Sequence, residues 1–279
     1  KKILEEKVKE RTIEIEKQRD QIAKQNKEIT DSILYAKRIQ SAILPEESVI
    51  NSCLRDYFIL YKPRDIVSGD FYWITKKGDL VYVVCADCTG HGVPGALMSM
   101  LGVSLLNEIV KNSQNLLKSS DILNKLREQV KITLAQKGRD DEAKDGMDMV
   151  LAIIDFEKLT LQFSGAYNQL WVFRDSEVYI YKGDKMPIGI YPGTERPFSN
   201  IEIDLKKNDI LYMFTDGYVD QFGGPEGKKI KTSGLKDIIM KIGNQPLEEQ
   251  RNYLENFLEQ WKGENPQVDD ILVMGIKVI

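Results

Sequence analysis

Histidine is almost missing: His91 is the only one in 279 residues. Zinc centres and imidazole-based acid–base pairs therefore have one ring at most to draw on. Cysteine is scarce as well, and Cys53, Cys85 and Cys88 cannot build a disulfide framework, which fits a reducing compartment. Cys85 and Cys88 form a CxxC, but with no second pair a structural zinc site lacks ligands, and the pair straddles Asp87, which argues against a redox role. There is no basic stripe. The 39 Lys and Arg are interleaved with 43 Asp and Glu for a net charge of −4, which excludes the usual footprint of a polynucleotide binder. No apolar run reads as long enough to cross a bilayer, and Lys1 and Lys2 are followed by no signal-peptide core. The expectation is a cytoplasmic chain without direct membrane insertion. The GxSxG elbow of serine hydrolases is absent, and there is no repeat or low-complexity tract.

Glycine and proline are also absent from Lys1 to Leu44. Over this stretch apolar residues recur every seven positions at Val8, Ile15, Ile22, Ile29, Ala36 and Ile43, one seam of a coiled coil. The companion seam, Leu4, Arg11, Gln18, Gln25, Ser32 and Ile39, is polar in its centre, so pairing should be weak and its register mobile. Residues 1–44 are expected to be a linker helix forming a parallel homodimer. The plain alternative is a helix whose apolar stripe packs on its own domain. The chain begins without Met inside this helix, so an upstream sensor is expected in a longer protein, one that could attach the whole to a membrane.

Pro45 should end the helix, and residues 45–279 read as one α+β domain. Strands are predicted at Tyr57–Tyr61, Phe71–Ile74, Leu80–Ala86, Met149–Asp155, Thr160–Ser164, Gln169–Phe173, Val178–Tyr181, Ile210–Thr215 and Ile271–Ile279. Helices are predicted from about Pro94 to Lys111, from Ser120 to Gln136 with Ser119 or Ser120 as cap, and around Leu235–Ile242 and Leu247–Trp261. A charged loop is expected from Lys137 to Asp145, and the Gly- and Pro-containing stretch Lys182–Asn200 should be a surface loop beside a substrate entrance.

Four aspartates stand where strands run out: Asp70, Asp87, Asp216 and Asp269. Any one of them could merely start a turn. Gathered in one cleft, they would repel each other unless a hard divalent cation joined them, and an all-oxygen site suits magnesium or manganese.

Four segments carry a resemblance: Gly69-Asp-Phe-Tyr72, Asp87-Cys-Thr-Gly-His-Gly92 followed by Gly95-Ala-Leu-Met98, Thr215-Asp-Gly217, and Asp269-Asp-Ile-Leu272. In this order they resemble the motifs of metal-dependent serine/threonine protein phosphatases, in particular the bacterial SpoIIE/RsbU-like branch related to the type 2C (PPM) enzymes. The segment Ile29–Pro45 likewise resembles the linker that joins sensors to such phosphatases. The resemblance implies a four-layer α-β-β-α sandwich of two antiparallel sheets, with a site at one edge between them. It implies two Mn²⁺ or Mg²⁺ ions, bridged by Asp87, with Asp216 and Asp269 completing one and Asp70 serving the other. The backbone carbonyl of Cys88 would be a further ligand. Asp87 and Asp216 would be the catalytic pair around a metal-activated water, with no protein nucleophile.

Arg64 is the nearest candidate cation for the phosphate. His91 is a candidate general acid, or else it fixes the Gly-His-Gly turn, the reading we favour. Asp220 matches a position that supports a third metal, Asp148 is a weaker candidate, and Asp270 is expected to support the ligands from behind. The implied activity is hydrolysis of phosphoserine or phosphothreonine on a partner signalling protein, such as an anti-sigma-factor antagonist, regulated through the linker. Two other readings compete: a catalytically silent scaffold that binds a phosphoprotein, and a metal-dependent nuclease or phosphodiesterase.

Overall fold

Leu80 to Cys88 is apolar at nearly every position, a pattern that a strand adopts only when both of its faces are covered. In a computed structural model, which describes residues 2–137 and 144–279, this stretch sends Val81, Val83 and Cys85 one way and Tyr82, Val84 and Ala86 the other, all buried. Ile210–Phe214 does the same on the opposite side of the molecule: Leu211 and Met213 face inward, while Ile210, Tyr212 and Phe214 face outward. Two sheets, each covered on both faces, make four layers.

Along the chain the elements are α1 (Lys2–Ile43), α2 (Glu47–Cys53), β1 (Tyr57–Lys62), β2 (Phe71–Lys77), β3 (Leu80–Cys88), α3 (Gly92–Asn112), α4 (Ser119–Thr133), β4 (Gly146–Asp155), β5 (Thr160–Ala166), β6 (Leu170–Arg174) and β7 (Glu177–Tyr181). There follow β8 (Ile188–Gly189), β9 (Ile201–Asp204), β10 (Ile210–Phe214), α5 (Asp216–Asp220), β11 (Phe222–Gly223), β12 (Lys228–Lys229), α6 (Lys231–Ile242), α7 (Leu247–Lys262) and β13 (Ile271–Lys277). One sheet has the order β1-β13-β10-β6-β7 and the other β2-β3-β4-β5-β9, with β8 added to β4. Neighbouring strands are antiparallel throughout both.

Between the sheets lies an apolar layer that includes Val83, Val150, Leu211 and Leu272. Outside one sheet, α3 and α4 bury Val103, Leu106, Val110, Ile122, Leu126 and Val130, residues three, four or seven apart that form one helical face each. Outside the other, α6 and α7 bury Leu235, Ile239, Leu254 and Leu258. The expected α-β-β-α sandwich is the observed fold.

Several local expectations are corrected. By length and composition α3 is apolar enough to cross a bilayer, but half of its most apolar stretch is buried inside the protein, where it serves as a core helix under the sheet. The cap of α4 is Lys118, whose N–H is 3.4 Å from the Asp121 carboxylate. Ser119 is instead buried, hydrogen-bonded at 2.7 Å to both Ser164 and Asn200. The Lys182–Asn200 stretch is more than surface loop, because Met186, Ile188 and Phe198 enter the core and β8 pairs with β4. Most of the charged Lys137–Asp145 loop lies outside the described residues.

α1 is exposed from Lys2 to Ser32, and the seam residues Val8, Ile15, Ile22 and Ile29 are 56–62% accessible. No apolar stripe packs on the domain there, which removes the plain alternative for this stretch. Further on, the last seam residues turn inward with their neighbours: Ile33 and Ala36 are half-buried, Gln40 is buried, and Ile43 and Leu44 pack against the outer core.

Candidate metal centre

Antiparallel pairing gathers the acidic residues. Phe71 pairs with Ala86, so the start of β2 and the end of β3 share one edge, and Phe214 pairs with Val273, which does the same for the end of β10 and the start of β13. Asp70, Asp87, Asp216 and Asp269 therefore occupy one end of the sandwich. The ladder between β3 and β4 adds a fifth acid, because Asp87 stands directly opposite Asp148. Alternation along β4 could have revealed it, but sequence reasoning ranked Asp148 below Asp220.

Close backbone approaches hold the loops together. A Cβ on Gly95 would fall 2.2 Å from the Gly90 carbonyl oxygen, and one on Gly217 only 1.9 Å from that of Asp270. Only glycine allows either contact. The Cys88 carbonyl oxygen turns toward Gly69, 3.3 Å from where a Cβ there would stand. Asp270 staples the loop before Asp70 to the loop before β13, accepting from the N–H groups of Arg64 and Gly69, each at 2.7 Å. Behind Asp70, the Thr215 hydroxyl donates to its carboxylate at 2.6 Å. Thr215 and Asp270 both stand in the segments that carry the resemblance, but these contacts depend on partners far away in the chain.

The electrostatics are those of an uncompensated acidic cluster. Burial, then repulsion from Asp216, Asp269, Asp148 and Asp270, pushes the Asp87 carboxyl up to about 8. Burial and Asp216 raise Asp148 to about 7. Asp70, 1% accessible, is held well above the usual carboxylate range by burial and by Asp87, with the Thr215 bond pulling the other way. Burial raises Asp216, helped by Asp269 and Asp220. Asp270 is raised by burial despite its two backbone donors.

Asp87, Cys88, Thr89, His91, Asp148 and Asp269 line an open cleft of about 220 Å³, room for several waters or a phosphoryl group. Among the described residues no three His, Cys, Asp or Glu side chains close on a single point. The donors are nevertheless all hard oxygen ligands whose mutual repulsion a divalent cation would relieve, so they fit magnesium or manganese.

The auxiliary candidates fare differently. The Arg64 guanidinium donates to the Val268 carbonyl at 3.0 Å, fixing the loop that carries Asp269. The His91 ring, half exposed, meets Asp65 at 2.9 Å and so ties the Gly-His-Gly turn to the loop before Asp70. Asp220 is engaged by Lys229 at 2.6 Å. Asp65 and Thr89, whose hydroxyl accepts from the Gly146 N–H at 3.1 Å, are further members of this neighbourhood that sequence reasoning missed.

Residues 77–279 match the family model described as Stage II sporulation protein E (SpoIIE). The phosphoserine phosphatase RsbU of Bacillus subtilis (strain 168) is 24% identical over 203 residues, 69% of this chain and 55% of RsbU, so the chain spans about half the length of that curated relative. The SiaA PP2C domain of Pseudomonas aeruginosa superposes with a TM-score of 0.81 at 33% identity, covering 90% of this chain and 98% of that one. The PP2C phosphatase domain of SpoIIE from Bacillus subtilis, at 16% identity, shares the fold with a TM-score of 0.65 over 80% of this chain and 62% of its own. With the family model covering more than half of its length, and a relative one-third identical over nearly all of it, the chain belongs to the SpoIIE family of PP2C-type phosphatases.

Proposed function

We propose that this chain is a protein serine/threonine phosphatase that uses two Mn²⁺ or Mg²⁺ ions. PP2C-type phosphatases are metal-dependent as a class, whereas the number and kind of ions are part of the proposal. The observation that carries it is Asp87, a half-buried strand-end carboxylate raised by desolvation and by four neighbouring acids and facing an open cleft. Asp87 would bridge the ions, with Asp216 and Asp269 on one, Asp70 on the other, and the Cys88 carbonyl as a further ligand. Bound there, divalent cations supply an acidified water and a clamp for phosphoryl oxygens.

The protein's own share is positional. Thr215 holds the Asp70 carboxylate in place, and the Asp270 staple sets the spacing between the two ligand loops. Arg64 secures the Val268 end of that second loop, so in this reading it orients Asp269 and does not reach for phosphate. The His91–Asp65 pair sets one rim of the cleft.

The substrate would be a phosphorylated signalling protein, a reading supported by RsbU being named a phosphoserine phosphatase, and its being of the anti-sigma-factor antagonist kind rests on the family resemblance alone. Residues 1–44 would act as a dimerising linker between a cytoplasmic phosphatase domain, 45–279, and an upstream sensor. The complete set of acids disfavours a silent scaffold, and the acidic balance of the chain disfavours a nuclease. The test is hydrolysis of an aryl phosphate and of a phosphoserine protein with Mn²⁺, Mg²⁺ or EDTA. Metal-dependent turnover lost in both Asp87→Ala and Asp216→Ala is the expected result. Equal turnover in EDTA would sink the reading.

A further inference from the structure

α1 has 42 residues and only one of them is buried, and that one is polar: Gln40, 6% accessible. Its carboxamide pairs with a backbone as a neighbouring strand would. Nε2 donates to the Ser68 carbonyl at 2.6 Å, and Oε1 accepts from the Ser68 N–H at 3.1 Å. The same Nε2 reaches the Ser99 hydroxyl on α3 at 2.9 Å. One side chain of the linker helix thus satisfies both backbone groups of a residue two positions before Asp70, and touches the helix that follows the Asp87 segment.

We propose that Gln40 is a positioning residue: it fixes the Ser68–Asp70 backbone, and through it Asp70, for metal binding. This rests on the reading of Asp70 as a ligand under the proposed function. Neighbouring residues on a helix are about 100° apart around the axis, so turning α1 by one residue removes the carboxamide from Ser68 altogether. Ser68 is buried, so on losing the carboxamide its N–H has no ready access to water and its carbonyl keeps only the 3.4 Å contact with the Ser99 hydroxyl, and the loop must rearrange. An apolar residue at position 40 would keep the packing of Ile43 and Leu44 but supply none of these bonds, so the hydrogen bonds can be separated from the docking of the helix.

The decisive experiment compares the full chain with Gln40→Leu and, as a control, the exposed neighbour Ser41→Ala. Three readouts are taken: calorimetric Mn²⁺ affinity, hydrogen exchange across residues 66–71, and kcat against KM on a phosphoserine protein. For Gln40→Leu we expect Mn²⁺ binding weakened about tenfold, the order expected for a lost buried hydrogen bond. Exchange at Ser68 and Gly69 should rise by a similar factor while β3 and β10 stay protected, and kcat should fall with KM unchanged. Ser41→Ala should match the wild type. Unchanged Mn²⁺ affinity and unchanged exchange in Gln40→Leu would overturn the proposal, as would faster exchange spread evenly over both sheets, since that marks a merely structural residue. Should Gln40→Leu fail to fold, Ser99→Ala removes one of the three bonds, together with the 3.4 Å contact of the Ser99 hydroxyl with the Ser68 carbonyl, and must show the same local pattern at about two- to threefold amplitude. If the wild type hydrolyses no phosphate ester, the phosphatase reading falls, whereas metal affinity and exchange still decide the role of Gln40.

Discussion

Asp87 and Asp148 face each other across β3 and β4, and both are pushed toward neutrality, to about 8 and about 7. For a carboxyl whose folded value lies above its ordinary 3.8, the unfolded chain releases its proton first. Between about pH 4 and pH 8 the folded state therefore holds more protons than the unfolded one, and stability without metal must fall as pH rises through that window. The expected measurement is a melting temperature in EDTA that declines from about pH 5 to pH 8, with added Mn²⁺ raising it most at the alkaline end. Asp87→Asn should flatten the slope in EDTA and lose much of the gain from Mn²⁺. A metal-free melting temperature that climbs toward pH 8 would contradict this account of the cluster.

At the scale of elements, much was legible from period and composition. β3 and β10 are read from runs buried on both faces, α3 and α4 from helical spacing, and Asp70, Asp87, Asp216 and Asp269 from their place at strand ends. What escaped, or was seen only in outline, depends on pairing between distant segments. Asp148 becomes a site residue only because of its register with Asp87, β9 exists as a strand only as the edge partner of β5, and Asp270 becomes a staple only because it meets Arg64 and Gly69 about two hundred residues earlier. α5 shows how tightly these elements are set, since its Gly217 lies against the Asp270 carbonyl. Gly217→Ala should force α5 away from the start of β13, lowering the melting temperature by several degrees, as expected for about 1–3 kcal/mol of overpacking in a protein of this size, and reducing metal-dependent activity more than tenfold. Unaltered stability and activity in that variant would show that the two segments separate freely.

For the molecule as a whole, the open question on its surface is the apolar seam of α1. Val8, Ile15, Ile22 and Ile29 are exposed, whereas the last two seam positions, Ala36 and Ile43, are turned to the domain. A second copy pairing along the first stretch leaves the domain contacts intact. Light scattering should therefore report a dimer at tens of micromolar, and Ile15→Asp with Ile22→Asp should make it monomeric while the melting of the sandwich stays within about 1–2 °C, because those side chains are largely exposed and belong to none of the core clusters. A wild-type monomer at that concentration would remove the dimer reading.

The helix is also a crowbar. It meets the domain near the half-buried Ala36, which shares a groove with Val93 of α3, and at 1.5 Å per residue its exposed arm back to Lys2 is about 50 Å long, while the arm from Ala36 to Gln40 is about 6 Å. With this ratio of about eight, a tip displacement of about 8 Å moves Gln40 by about 1 Å, which stretches its 2.6 Å contact with Ser68 beyond hydrogen-bonding distance. Large, soft movements at the distal end are thereby geared down to the small, stiff displacement that an ångström-scale centre can register.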